Sequence, residues 1–348
     1  MSQELKSLKS TIHPMLDRSE PFRRSLLNWF HANAKDYPWR TTKDPYEILV
    51  SEMMLQQTQV VTVLGRGYYR RWLESFPDFK SLAAADESEV LRVWEGLGYY
   101  SRARNLHKLA KVVVHELGNQ FPSEVVEIES LPGIGKYTAG AIASFAFNSS
   151  VPAVDANIAR VIVRIFDFQE RIDTSYGQKK IWGWANDMVP SSGARAWNSA
   201  LMELGQTLCK PRVVLCDECP LSACCQSSQP LDLPIKKSKP QMTSIDEHVI
   251  LAVSKSKVLL EQEKGRRRHG MWKLPARDGK DLKETKLLSK QKYGITRYKM
   301  TMHIYQSDNP CARENEQWFK MNELQSLPMP SPYRRALKLI NEVSAQEN

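Results

Sequence analysis

The spacing of apolar residues divides the chain into a long helical part and a shorter part with strand alternation. Asp44-Pro45 reads as an N-cap with proline at the first helical position, opening a helix that carries Ile48, Leu49, Met53 and Leu55. Glu52 stands four residues after Ile48 and three before Leu55, so it shares a face with apolar side chains. A short helix over residues 124–130 is stopped by Pro132, and residues 138–147 again have helical spacing. Leu131-Pro132-Gly133-Ile134-Gly135 lies between them and predicts a tight turn, giving two helices joined by a hairpin. Asp155 falls at the N-cap of a further helix whose apolar positions are Ile158, Val161, Ile162 and Ile165. Helix is expected over residues 175–210, with Trp197, Leu201, Leu204 and Leu208 as its buried stripe and Glu203 off that stripe.

Periodicity disappears over residues 226–243, a run rich in Ser, Pro and Lys that reads as a linker. Alternation then begins. Residues 248–263 read as a hairpin turning through Ser254-Lys255-Ser256, further strands are expected over 271–274 and 298–306, and a helix over 332–343 closes the region.

With 348 residues and 42% hydrophobic content, the chain can fill two cores. It contains no apolar run of membrane-spanning length, and its first twenty residues lack a signal-peptide pattern, so a cytoplasmic protein without membrane association is expected. A formal charge of +10 favours a polyanionic partner. Basic residues recur between aromatics in Tyr68-Tyr69-Arg70-Arg71-Trp72 and in Tyr99-Tyr100-Ser101-Arg102-Ala103-Arg104, a pattern that also suits solvated helix faces.

Three local features carry chemistry. The Gly133 and Gly135 turn leaves the following helix with N–H groups facing outward beside Lys136, which is an anion site; a glycine turn between packed helices has the same spacing. Asp155 at an N-cap accepts backbone N–H bonds and is expected to stay ionised, whereas burial on its apolar face would raise the pKa of Glu52. Four of the six cysteines, Cys209, Cys216, Cys219 and Cys225, are spaced Cys-x6-Cys-x2-Cys-x5-Cys. This clustering points to a metal centre rather than disulfides, and four sulfurs suit either zinc or an iron–sulfur cluster.

The hairpin followed by Val154-Asp155, the string Ser51-Glu52-Met53-Met54-Leu55-Gln56-Gln57-Thr58-Gln59 and the cysteine loop resemble the helix-hairpin-helix DNA glycosylase superfamily, which includes endonuclease III and the MutY-like adenine glycosylases. The resemblance implies a mostly α fold: an N-terminal extension at 1–20, a helix-hairpin-helix catalytic domain at 21–208, a cluster loop at 209–225, a linker at 226–243 and an α/β Nudix-like domain at 244–348. Gly270-Met271-Trp272-Lys273-Leu274-Pro275 matches that last domain best, and the absence of an Arg-Glu-x-x-Glu-Glu run makes it a binding module.

The resemblance also implies roles for individual residues. All four cysteines would hold a 4Fe-4S cluster. Gln56 and Gln57 would enter the DNA stack, Tyr99 would wedge into the duplex, and Arg102 and Arg104 would hold phosphates. Gly133, Gly135 and Asn157 would lie against DNA. Lys210 and Arg212, inside the first cysteine loop, and the basic run 266–269 are further phosphate candidates, a run that suits a solvated loop equally well. Trp39, Arg40 and Glu203 would line the pocket for an extruded adenine. Arg297, after Ile295-Thr296, stands where adenine glycosylases use a Phe-Ser-His element to recognise 8-oxoguanine.

In the endonuclease III branch a nucleophilic lysine precedes Thr-Ala in the hairpin; here that residue is Tyr137. With Glu52 present, this points to a monofunctional adenine glycosylase acting as a monomer on double-stranded DNA that carries adenine opposite 8-oxoguanine or guanine. Glu52 would be the general acid, Asp155 the stabiliser of the cationic sugar, and Tyr137 an assistant near Asp155. The alternatives are an endonuclease III-type lyase on oxidised pyrimidines and a non-catalytic DNA-binding iron–sulfur protein.

Overall fold

The computed structural model describes residues 19–340 except 239, 266, 283, 284 and 309. Contacts along the described chain group it into two compact units, one of residues 19–52 with 120–238 and one of residues 53–119 with 240–340. The boundary falls within a single helix, Pro45–Leu55. Of the N-terminal extension, residues 1–18 lie outside the described residues.

The first unit is helical. Its core joins Leu26 of the Ser19–Asn33 helix, Ile158 and Ile162 of Ala156–Ile165, Ile181 of Ser175–Met188, and Trp197, Leu201 and Leu204 of Ala194–Thr207. The helix expected over 175–210 is thus two helices. The first stops at Met188, just before Pro190, and the second starts after Gly193, whose φ of 78° reverses the chain. The hairpin forms as the spacing predicts, between Val125–Ser130 and Lys136–Phe147, with Gly133 at φ 76° and both Leu131 and Ile134 packed inward.

The second unit combines helices, Val60–Gly65 to Ser101–His115, with seven strands among the described residues. β1 (Thr243–Leu251), β6 (Tyr298–Gln306) and β5 (Leu287–Ile295) form one sheet in the order β1-β6-β5, parallel between β1 and β6 and antiparallel between β5 and β6. β2 (Val253–Ser254), β3 (Lys257–Gln262), β4 (Trp272–Lys273) and β7 (Glu316–Lys320) form a second sheet, antiparallel throughout and centred on β3. The expected hairpin is confined to β2 and β3, turning through Lys255 and Ser256, both at positive φ as a primed turn requires. β1 leaves that pair at Ala252 and joins β6 instead. The apolar face of both sheets packs Val249, Leu251, Val258, Leu260 and Ile304 against Met329, Tyr333 and Ile340. The closing helix is Ser331–Ala336 with a 3-10 turn to Leu339, and the end expected at Val343 lies outside the described residues. No helix among the described residues is long and apolar enough to cross a membrane.

Candidate active site

Glu52 lies on a helix buried on almost every side: Ile48, Leu49, Val50, Ser51, Met53 and Met54 are all inaccessible, and Glu52 itself is 5% exposed. Asp44 Oδ1 accepts the Tyr46 N–H at 2.8 Å and starts this helix. A carboxyl group so placed loses its hydration. Desolvation, with a smaller contribution from the negative charge of Asp155, raises its pKa to about 7, and a hydrogen bond from Tyr137 opposes the rise. That bond is short, Tyr137 Oη to Glu52 Oε2 at 2.5 Å. Burial and the two nearby carboxylates push the Tyr137 phenol well above its ordinary range, so it remains a donor.

Tyr137 stands in the first turn of the Lys136–Phe147 helix, which no side chain caps at Gly135. Lys136 is not free beside that terminus, because its ammonium sits 4.1 Å from the centre of the Trp182 ring. Asp155 comes from the start of the Ala156–Ile165 helix, where Oδ1 accepts the Ile158 N–H at 2.7 Å and Oδ2 accepts the Asn157 side-chain amide at 2.6 Å. Arg160 fixes that amide by donating to Asn157 Oδ1 at 3.0 Å, and it donates also to the carbonyls of Gly205 and Cys209 at 2.7 and 2.8 Å. Burial nevertheless outweighs these donors and raises the Asp155 pKa above the ordinary carboxylate value. The expectation that capping sets its charge is corrected on this point: the cap moderates the cost of burial without cancelling it.

Two close approaches hold the Asp155 segment. A Cβ at Gly140 would stand 2.4 Å from the Pro152 carbonyl oxygen, and one at Gly205 would stand 2.8 Å from Asn157 Cβ. Asn198, fully buried, accepts the Ala153 N–H at 3.1 Å and donates to Val151 O and Ser144 Oγ at 2.9 and 2.8 Å. Its position in a helical stripe of Trp197 and Leu201 gave no sign of this role.

Glu203 also departs from expectation. It is inaccessible rather than set off the buried stripe, because Arg40 Nη2 reaches its Oε2 at 2.6 Å. Its Oε1 is buried without a hydrogen-bond partner among the described residues. Arg40 lies over the rings of Tyr37 and Phe30, and Trp39 stacks on Tyr37 at 5.3 Å. Arg195, which sequence reasoning also missed, donates to the carbonyls of Arg40 and Thr42 at 2.7 and 2.5 Å and secures this loop. Glu52, Tyr137, Asp155, Asn157, Trp39, Arg40 and Glu203 thus all belong to the first unit.

Residues 50–187 match the model of the HhH-GPD superfamily of base excision DNA repair proteins. An adenine DNA glycosylase from Buchnera aphidicola subsp. Baizongia pistaciae is 30% identical over 352 aligned positions, covering 92% of this chain and 97% of that protein. The chain belongs to the adenine DNA glycosylase family. The human adenine DNA glycosylase is 40% identical over 236 residues, covering 65% of this chain and 43% of that protein, so the chain spans less than half of the human relative's length. Among solved structures, a thermostable thymine-DNA glycosylase superposes with a TM-score of 0.55 at 31% identity, covering 60% of this chain and 96% of that one.

This family membership directs attention to the cysteine loop, which follows the Ala194–Thr207 helix through two 3-10 turns, Cys216–Glu218 and Ser222–Cys224, and is anchored by the buried Leu221. No cysteine is in a disulfide. Burial pushes the Cys219 thiol up to about 11, with smaller contributions from Cys209, Cys225 and Cys216. Arg164, 1% exposed, sends Nη1 to Cys209 Sγ at 3.1 Å and leaves Nη2 buried without a partner among the described residues. A buried guanidinium facing sulfur suits an anionic set of thiolates. Among the described residues, no three His, Cys, Asp or Glu side chains converge to grip a single ion.

Gln56, Gln57, Tyr99, Arg102, Arg104 and Arg297 belong to the second unit, whereas Gly133, Gly135, Lys210 and Arg212 belong to the first. Gln57 and Tyr99 are exposed, at φ 58° and 47°, while Gln56 is half-buried with Nε2 3.4 Å from Met53 Sδ. Arg102 and Arg104 are not presented to solvent for phosphate. Arg102 is buried among backbone carbonyls, and Arg104 is taken up by Glu87 at 2.8 Å and by the His269 carbonyl. Arg297 is exposed in the β5–β6 turn, where Thr296 has φ 50° and the guanidinium lies over the Tyr298 ring. Of the basic run, Arg266 lies outside the described residues, and Arg268 lies over the rings of Tyr293 and Tyr333.

Proposed function

We propose that this chain is a monofunctional adenine DNA glycosylase that hydrolyses the N-glycosidic bond of adenine opposite 8-oxoguanine or guanine in double-stranded DNA. The observation that carries the reading is a glutamate carboxyl buried among apolar side chains, hydrogen-bonded to a tyrosine and close enough to a second carboxylate to feel its charge, so that burial raises its pKa to about 7. A group poised at that value both holds a proton at neutral pH and releases it readily. Glu52 delivers the proton to N7 of the adenine, which makes the base a neutral leaving group. Asp155 then faces the positive charge that develops on the sugar, its anion supported by Ile158 N–H, Asn157 and Arg160. Water completes the hydrolysis at the sugar carbon and gives its proton to the Glu52 carboxylate left by the first transfer.

Tyr137 in place of a lysine removes the amine that a lyase needs for a Schiff base. Glu203 Oε1, a buried acceptor without a partner among the described residues, supports the assignment of Trp39, Arg40 and Glu203 to the adenine pocket, since an exocyclic amine would satisfy it. The uncapped helix N-terminus at Gly135, with the exposed Gly133, supports a backbone phosphate there. Gln56, Gln57 and Tyr99 are assigned to the DNA stack.

Cys209, Cys216, Cys219 and Cys225 would hold a 4Fe-4S cluster. Each iron of such a cluster takes one thiolate, and Arg164, 3.1 Å from Cys209 Sγ, places a buried positive charge against that anionic set. When bound, the cluster ties the loop after the Ala194–Thr207 helix to the core, and no step of the hydrolysis passes through it. The domain limits of the sequence reading, 21–208, 209–225 and 244–348, are retained, with the C-terminal region as a Nudix-like lesion reader in which Arg297 meets 8-oxoguanine from a hairpin tip.

The test is single-turnover base release from duplexes with adenine opposite 8-oxoguanine, guanine or thymine, sampled for strand breakage before and after alkali. Release opposite 8-oxoguanine with breakage only after alkali is expected. Breakage without alkali, together with a borohydride-trapped covalent complex, would establish the lyase reading instead.

A further inference from the structure

Arg102 is 6% exposed, and its guanidinium spans two loops that are far apart in sequence. Nη1 donates to the carbonyls of Met53, Met54 and Gln56 at 2.8, 2.9 and 2.5 Å. Nη2 donates to the carbonyls of Leu97 and Gly98 at 3.1 and 3.2 Å. Directly beyond each group of carbonyls a residue that is not glycine lies in the left-handed region: Gln57 at φ 58°, and Tyr99 at φ 47° following Gly98 at φ 70°. Both side chains are exposed, Tyr99 to 44%. The guanidinium carbon also lies 5.6 Å from the centre of the Tyr99 ring and 5.3 Å from that of Trp94.

A left-handed backbone costs a non-glycine residue on the order of 1–2 kcal/mol, and two such residues persist only where their surroundings determine them. Here one desolvated cation supplies that constraint to both. Its planar fork meets carbonyls from two directions, a geometry that the single ammonium of lysine lacks.

We propose that Arg102 is a positioning residue that holds Gln57 and Tyr99 as one preset pair for entry into the DNA duplex. This rests on the reading that those two side chains enter the stack. Arg102 touches no nucleic acid in this account; it acts through the backbone of the two loops, so that a duplex engaging Tyr99 meets Gln57 at a fixed offset.

The experiment uses the full-length protein as R102K, Y99A and the double variant R102K/Y99A, with a duplex carrying 2-aminopurine opposite 8-oxoguanine. Fluorescence reports extrusion independently of bond cleavage, and binding to undamaged duplex is measured across a salt series. Expected for R102K is wild-type binding and salt slope on undamaged DNA, with extrusion and adenine release both reduced by about tenfold or more, as misplaced reaction partners are. Y99A should show a comparable loss, and the double variant should be little worse than the more damaged single variant. Additive losses, or wild-type extrusion by R102K, would overturn the proposal. A lower salt slope would make Arg102 a phosphate contact instead. Should R102K fail to fold, G98A provides the second test. Its methyl meets no atom within 4 Å but opposes the φ of 70°, so it must reproduce the extrusion defect, and wild-type extrusion would again overturn the proposal. Extrusion by the wild type without adenine release would defeat the proposed function and leave the role of Arg102 standing.

Discussion

A side chain that protonates a base at neutral pH must keep its proton there, and an ordinary glutamate does not. Glu52 holds its proton to higher pH because burial removes its water, while the Tyr137 hydroxyl limits the rise. The pH dependence follows. Above a pKa of about 7 the acid form declines about tenfold per pH unit, so single-turnover release should fall along an alkaline limb centred near that value. Tyr137→Phe removes the hydrogen bond that favours the anion, so the limb should move to higher pH; movement to lower pH would mean that Tyr137 supports the acid form. The burial of Glu52 was readable from its place between Ile48 and Leu55. The burial of Glu203 was not, since its partner Arg40 lies 163 residues earlier in the chain and periodicity carries no information across that distance.

The hairpin, its two helices and the N-cap at Asp155 follow from local chemistry, and each was readable for that reason: proline stops, glycine turns and apolar spacing act over a few residues. What fixes Asp155 in space is long-range and was not. Gly140 lets the hairpin helix approach Pro152, and Asn198 ties the same segment from another helix. Gly140→Ala places a methyl 2.4 Å from a backbone oxygen, where only a backbone shift can relieve it. It should cost about 1–3 kcal/mol, seen as a lowered Tm, and should slow base release beyond what the stability loss explains. Unchanged Tm and rate would show that the segment yields freely. The strands give a similar contrast. The alternation around Val249 and Val258 identified strands correctly, yet the partner of β1 proved to be β6, about fifty residues later, because strand pairing is a property of the sheet and not of the run.

Across the whole molecule, the cysteine loop closes the first unit, with Leu221 in the core and Arg164 set against sulfur. Purified protein should therefore contain about four iron and four sulfide per chain and absorb near 400 nm, and Cys216→Ser should reduce the iron content and the Tm together. A colourless protein with stoichiometric zinc would contradict the cluster. The cysteine spacing was visible from the start, whereas the buried cation that complements it became visible only once Arg164 was placed.

The central claim is that Glu52 supplies the proton. The most direct measurement compares wild type and Glu52→Gln for single-turnover adenine release from a duplex with adenine opposite 8-oxoguanine, with the Kd for the same duplex measured in parallel. Because the amide keeps the shape and cannot donate the proton, the account predicts an unchanged Kd and a release rate lower by at least about a hundredfold. Wild-type release by Glu52→Gln, with binding intact, would contradict it.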